Sequence, residues 1–306
     1  MRHGVVILPD QPWHTGGRRW LRAEEFGFDH AWTFDHLMWR RLRDAPWFSA
    51  MPTLTAAAAA TRRLRLGTLV ASPNLRHPLT FAKEMMTLDD ISGGRAICGI
   101  GAGATTGFDN TVFGPPALAP SQRSEKFREF AELTSRLLQQ NETDYSGAHF
   151  QAHGAAMYPG CVQQPGVPLA VAAGGARAMR VAARLAGYWI TVGVPGRFEP
   201  ERFDRALPML RRQSERFAEA CAHEERDPAS VGRIVVAGTQ VGGVLESPDA
   251  FATAQGLFAE LGFTDLVVFW PRPTAPFAGS EAQLEAVAPL LRSPEPSPVT
   301  ANGYVR

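Results

Sequence analysis

Between Leu66 and Gly103 the chain reads LGTLVASPNLRHPLTFAKEMMTLDDISGGRAICGIGAG, and this stretch narrows the possible folds more than any other. Arg65 to Ala71 is a β-prone run, Pro78 to Ile91 keeps an apolar face at helical spacing, and Ala96 to Ile100 is a second apolar run closed by glycines. The pattern predicts one strand–helix–strand unit. Both strands are apolar nearly throughout instead of alternating, which calls for cover on two faces and so for a parallel sheet flanked by helices. Gly101 and Gly103 fall just past the second strand, where backbone without side chains admits a flat ligand.

Strand and helix signals alternate along the rest of the chain without an internal sequence repeat. Further strands are expected at Gly4 to Leu8, Asp29 to Phe34, Leu169 to Ala173, Tyr188 to Val192, Arg233 to Gly238 and Asp265 to Trp270. Helices are expected from Gly17 to Gly27, over Pro52 to Thr61, after a cap at Ser121, over Ala176 to Ala186 and Glu199 to Glu225, after a cap at Ser247, and over Ala282 to Leu291. Eight strands alternating with helices predict an α/β fold, a (β/α)8 TIM barrel, with an open doubly wound sheet as the alternative. Two insertions are expected. One follows strand 4, where Ala104 to Pro120 has no period and reads as a lid; the other precedes strand 5, a hairpin within Asp144 to Gln164. Residues 1–292 read as a single domain and 293–306 as a Pro-rich, disordered tail.

Charge excludes some partners. The 31 basic and 30 acidic residues nearly cancel, so no field gathers nucleic acid or an anionic membrane, and a small-molecule ligand is expected. No apolar run approaches the roughly 20 residues of a membrane span, and the first residues show no leader pattern, so a cytoplasmic location is expected. Cys98, Cys161 and Cys221 lack metal or disulfide spacing, and no HxH pair occurs, so no metal is expected.

In a barrel of this kind, chemistry sits on the loops that follow the strands. Asp35-His36 closes strand 2, and an imidazole beside a carboxylate is an acid/base candidate. Ala173-Gly174-Gly175 precedes a helix, so free amides and the helix dipole make an anion cradle, with Arg177 in reach and Thr191 as a further donor. Trp13, Trp39, Trp47 and Phe108 are candidate walls of a substrate pocket.

Leu66-Gly67-Thr68 with Val70, then Arg76-His77-Pro78, Thr87-Leu88-Asp89, Ser92-Gly93-Gly94-Arg95 and Gly99-Ile100-Gly101-Ala102-Gly103, in this order and spacing, resemble the bacterial-luciferase-like family of flavin- and deazaflavin-dependent oxidoreductases. The resemblance implies a TIM barrel, a homodimer, and one of two cofactors. Reduced FMN, supplied by a separate flavin reductase, implies oxygen-dependent monooxygenation of a small organic substrate. The deazaflavin coenzyme F420, which carries an acidic oligoglutamate tail, implies hydride transfer. A catalytically silent flavin-binding relative and a barrel hydrolase are the competing classes. By the same resemblance, His36 stands at the reactive edge of the ring and Ala71-Ser72 holds a non-proline cis peptide pressing on it. Gly101, Ala102 and Gly103 flank the ring, and the cradle takes the cofactor phosphate. Two departures stand out. Tyr188 occupies a position where relatives carry glycine near the phosphate, which weakens Thr191 as a ligand. Ala104 and Thr105 stand where many deazaflavin enzymes carry glutamate, which tilts the expectation toward FMN, with Asp109 as a substitute acid.

Overall fold

A computed structural model describes residues 1–103, 112–113, 118–194 and 200–291. Phe108, Asp109, the tail and the lid segment except Val112-Phe113 and Leu118 to Pro120 therefore lie outside the described residues. Eight parallel strands close a barrel: β1 (Arg2–Val6), β2 (His30–Thr33), β3 (Arg65–Thr68), β4 (Ala96–Gly101), β7 (Leu169–Ala172), β8 (Tyr188–Thr191), β10 (Gly232–Val236) and β12 (Asp265–Phe269). Closure comes from β1 pairing with both β2 and β12. The predicted hairpin is present as β5 (Glu142–Ser146) and β6 (Gln151–Ala156). A small parallel pair, β9 (Glu201–Arg202) with β11 (Val241–Gly242), was not anticipated, because two residues carry no periodic signal.

Helices α1 (Trp13–Gly16), α2 (Arg18–Phe26), α3 (Ala50–Ala60), α4 (Pro78–Ser92), α5 (Pro120–Gln139), α6 (Ala176–Leu185), α7 (Phe203–His223), α8 (Pro248–Glu260) and α9 (Glu281–Leu291) form the outer layer. Ser247 caps α8 as expected, its side chain accepting from the Ala250 amide. Ser121 does not cap α5. That helix begins one residue earlier at Pro120, whose ring fixes the helical φ without needing an amide partner.

Two apolar layers explain why the strands read as unbroken apolar runs. Val5 and Ile7 face the helices, whereas Val6 and Leu8 face the barrel interior, so each strand buries both faces. Trp32 fills the interior near the bottom of the barrel and needs room. A Cβ at Gly67 would lie 2.6 Å from its ring, and one at Gly99 would lie 3.3 Å from it and 1.7 Å from the Thr68 carbonyl. Two of the glycines in the opening stretch thus serve packing, not ligand approach.

His3, at the outer face of β1, is buried with neither ring nitrogen hydrogen-bonded; Gln255 and the Leu291 carbonyl face it without closing a bond. Burial holds its pKa below the ordinary imidazole value. The unfolded chain then takes up a proton that the folded one resists, so stability falls as pH drops through about 6.5. His3→Phe is expected to lose less stability than the parent between pH 7.5 and 5.5, read from urea midpoints. Parallel losses would assign the ring no part in the acid response.

Candidate functional site

The C-terminal ends of β2, β3, β4, β7 and β8 surround a cavity of about 630 Å³. Among the sequence-predicted residues it gathers His36, Ser72, Gly101, Ala102, Gly103, Ala173, Gly174, Gly175, Arg177 and Thr191 in its wall. It does not gather all of them. Ala71 is fully buried behind the wall, where its amide donates to the Gly99 carbonyl and its own carbonyl accepts from Gly101, both at 2.9 Å. Trp13 borders a separate cavity of about 350 Å³ with Leu8, Trp20 and Phe48. Trp39 and Trp47 stack on each other 6.3 Å apart, outside the wall.

His36 is positioned from two sides. Trp47 donates its indole N–H to the His36 carbonyl at 2.9 Å, and the Phe34 ring meets the imidazole edge-on at 5.8 Å. Asp35 is turned elsewhere. Its two carboxylate oxygens accept from Nη2 and Nε of Arg76 at 2.7 and 2.8 Å, so the pair ties the loop after β2 to the loop after β3. The hydrogen bond with Asp35 raises the Arg76 pKa further. The expected role of Asp35, orienting the imidazole, is thus replaced in this geometry by a bidentate clamp on Arg76.

The non-proline cis peptide stands at Leu69–Val70, two residues before the position implied by the resemblance. The ladder of β3 stops at Thr68, the chain bulges through Leu69 and Val70, and Ala71 rejoins the sheet opposite Ile100. Leu69 and Val70 line the cavity floor beside Gly101, where a Cβ would lie 2.6 Å from Val70 Cγ2.

At the opposite end a helix begins without a side-chain cap. Gly175 is the N-cap residue of α6, no side chain caps the helix, and a Cβ at Gly175 would meet nothing within 4 Å. The first-turn amides of α6 therefore face open space along a wall formed by Ala176, Arg177 and Ala178. Arg123 of α5 was missed by sequence reasoning. It lines the cavity, donates to the Gly103 carbonyl at 2.8 Å, and burial lowers its pKa. Ser124 and Phe127 share that wall. The i,i+4 spacing of Arg123 and Phe127 on one helix face was the available signal, masked by the many arginines of the chain. Among the described lining residues no carboxylate appears, so the field favours a negative ligand.

Tyr188 does not crowd this region. It opens β8 at the bottom of the barrel, where its hydroxyl accepts from Arg65 at 2.7 Å and its ring occupies space left by Gly232. Thr191, at the other end of the strand, reaches the cavity and accepts from the Gly193 amide at 3.1 Å. The objection to Thr191 is removed by strand length alone.

Among the described residues no helix is long and apolar enough to cross a membrane. A 5,10-methylenetetrahydromethanopterin reductase of Archaeoglobus fulgidus is 29% identical over 248 residues, covering 78% of this chain and 69% of that protein. An F420-dependent glucose-6-phosphate dehydrogenase of Kineococcus radiotolerans is 36% identical over 176 residues, covering 56% of this chain and 51% of its own length. The chain thus spans from about half to about two thirds of these curated relatives. A solved F420-dependent secondary alcohol dehydrogenase, in complex with an F420-acetone adduct, superposes with a TM-score of 0.78 at 16% identity. The match covers 95% of this chain and 99% of that one, and is a likeness of fold. The family model described as luciferase-like monooxygenase matches residues 1–242, from the first strand through the cavity wall and beyond it, and the chain belongs to that family.

Proposed function

We propose that this chain is a two-electron oxidoreductase that holds a deazaflavin in the 630 Å³ cavity and transfers a hydride to or from a small organic substrate. The observation that carries this reading is the polarity of the cavity: free helix amides and two arginines at one end, an apolar floor of Leu69, Val70 and Ile190, and His36 on the wall. A phosphate fits the first end and a flat ring fits the floor. When bound, the cofactor supplies a hydride acceptor or donor at its ring. The protein supplies everything else: the α6 amides, Arg177 and Arg123 hold the anion, Gly101 to Gly103 let the ring approach, and His36 moves the proton. Among the described lining residues His36 supplies an imidazole whose ring nitrogen can accept and return a proton, so it takes the substrate's hydroxyl proton at that nitrogen or returns it to the carbonyl.

Two features support deazaflavin over FMN. The relatives described above include an F420-dependent enzyme. The cavity also continues into a groove of about 270 Å³ between α5 and α6, sharing Ser124 and Arg177 and adding Arg128, Arg180 and Arg184. Arg128 and Arg184 are neutralised by Glu125 and Glu132, but Arg177 and Arg180 form no salt bridge among the described residues and can receive an acidic tail. The FMN reading rests on Ala104, outside the described residues, and on the monooxygenases that give the family its name. It requires a separate reductase. Anaerobic titration of both cofactors, read by tryptophan quenching, decides: deazaflavin is expected to bind at least tenfold tighter, a difference of about 1.4 kcal/mol. Equal or tighter FMN binding with oxygen-dependent turnover would reverse the choice.

Gly175→Asp separates a phosphate cradle from a plain helix start. Aspartate is a good N-cap residue and meets no clash here, so the melting temperature is expected to hold or rise. Its carboxylate competes for the same amides and repels a phosphate, so cofactor affinity is expected to fall by roughly tenfold or more. Unchanged affinity would place the phosphate elsewhere.

A further inference from the structure

The loop after β2 carries His36 and the loop after β3 carries the cavity floor, so the reaction described above needs the two at a set separation. The sheet does not provide it. The ladder of β2 ends at Thr33 and that of β3 at Thr68, which leaves His36 and the Leu69–Val70 bulge past the last paired residues of their strands. The floor has an anchor of its own, because Ala71 bridges to Ile100 of β4.

Arg76 extends that anchor to His36. Its amide donates to the Ser72 carbonyl at 3.0 Å, and the Leu75 amide donates to the same carbonyl at 3.2 Å, so a tight turn joins Arg76 to the residue after Ala71. The guanidinium then crosses to Asp35, whose side chain is 4% exposed, and donates to its two oxygens at 2.7 and 2.8 Å. Glu84 of α4 accepts from Nη1 at 3.2 Å and braces the guanidinium from outside. Two parallel bonds onto one carboxylate fix an angle as well as a distance, and Asp35 directly precedes His36. With the Trp47 indole on the His36 carbonyl, the backbone that carries the imidazole is gripped on both sides. A buried ion pair gives little net stability over an apolar pair of the same volume. What a fork on two oxygens adds is geometry.

We propose that Arg76 is a positioning residue: through Asp35 it sets where the His36 imidazole stands relative to the Leu69–Val70 floor, and so relative to a cofactor ring lying on that floor. The second half of this rests on the functional reading given above. A misplacement of about 1 Å can cost on the order of 10²-fold in rate, so a clamp remote from the reacting atoms matters to the chemistry.

The test observes the imidazole itself, through the Hε1 resonances of carbon-13-labelled histidine in the parent, Arg76→Lys, Arg76→Gln and Asp35→Asn, with His36→Gln to assign the His36 signal. Spectra are taken at about pH 9, where an ordinary imidazole is neutral. Arg76→Lys keeps the positive charge that the buried Asp35 needs but loses the fork, and it carries the test should Arg76→Gln fail to fold. In the cofactor-free protein the His36 signal, set in part by the edge-on Phe34 ring, is expected to move in all three variants, while His3 and His30 at the barrel bottom keep theirs. Loading with whichever of F420 and FMN binds the parent more tightly is expected to shift the parent's His36 signal further. The variants are expected to lose most of that second shift while binding the cofactor within a few-fold of the parent. A purely structural Arg76 predicts a different split, with a lower melting temperature for Arg76→Gln, rescue by Arg76→Lys, and parent-like His36 signals in every folded variant. Either those parent-like signals or a full cofactor shift in the variants overturns the proposal. If neither cofactor binds the parent, or binding leaves its His36 signal in place, the functional reading falls, and the cofactor-free spectra alone decide whether Arg76 sets the imidazole.

Discussion

His36→Ala is expected to slow turnover at saturating substrate by roughly 10²-fold or more, the usual size of a general acid/base contribution. Cofactor affinity is expected to stay within a few-fold, because the anion end of the cavity, with Gly175, Arg177 and Arg123, does not depend on the imidazole. The Trp47 indole holds the His36 carbonyl whatever the side chain, so the loop should keep its course in the mutant. His36→Gln refines the test. It restores a polar group of similar reach without a titratable nitrogen, so a proton-transfer role predicts little rescue, whereas a pure hydrogen-bonding role predicts substantial rescue. Turnover within twofold of the parent for His36→Ala would remove the residue from the chemistry and leave the cofactor site intact.

Asp35 marks how far neighbouring residues in sequence can mislead. Adjacent residues at a strand end project in different directions, so Asp35 is sequence-adjacent to the imidazole yet carries Arg76 on both oxygens. The partner was visible in the Arg76-His77-Pro78 motif, but nothing in one sequence says which carboxylate it meets. The same holds for the other motif residues. Asp89 accepts from the amide and side chain of Gln163, and Arg95 donates to the carbonyls of Ala58, Thr61 and Leu64 at the end of α3. Gly93 ends α4 at φ +65°. The stretch that discloses the family is largely the scaffold that holds adjacent units together.

The barrel itself was legible because its signals are local and repeated: eight apolar runs, amphipathic helices between them, and glycines or capping residues at the ends. Boundaries moved by up to four residues: α7 starts at Phe203 where Glu199 was expected, β3 ends at Thr68 where Ala71 was expected, and β1 starts at Arg2 where the apolar run starts at Gly4. Arg2 belongs to the ladder because its guanidinium meets Asp265 on the neighbouring strand, a pairing that no periodicity encodes. The uncapped helix start after β7 was legible for a similar local reason, a glycine pair ahead of a helix. Arg123, Ser124 and Phe127 were not, since their membership in the site is created by the approach of α5 to the end of β4, where Arg123 donates to the Gly103 carbonyl.

The bottom of the barrel holds the larger stability prediction. The carboxylate of Asp265 is fully buried and takes hydrogen bonds from His30, Arg2 and Thr264. Trp32 donates its indole N–H to Nδ1 of His30 at 2.7 Å; an indole can only donate, so Nδ1 accepts and Nε2 carries the proton directed at Asp265 at 3.0 Å. Burial pushes the Asp265 carboxyl upward, but the bonds from His30 and Arg2, with the adjoining positive charge, outweigh it and hold the group well below the usual carboxylate range. Asp265→Ala leaves the His30 N–H facing an apolar void, and the partners of a broken buried pair cost about 3–5 kcal/mol. The half-exposed Arg2 can turn to water, which places the expected loss at the lower end, about 3 kcal/mol. Against a total stability of about 5–15 kcal/mol this is a large fraction. Asp265→Asn keeps one acceptor for His30 and is expected to lose less. The pH dependence gives an independent check. A carboxyl whose folded pKa is depressed contributes stability above its unfolded pKa, near 3.9, and loses that contribution as pH falls below it toward the folded value. The parent is therefore expected to lose stability from about pH 4 downward more steeply than either variant, so that the difference in urea midpoints between parent and Asp265→Ala narrows on acidification. A difference that is constant from pH 7 to pH 3, or an Asp265→Ala variant within 1 kcal/mol of the parent at neutral pH, would show that the network fills the barrel floor without anchoring it.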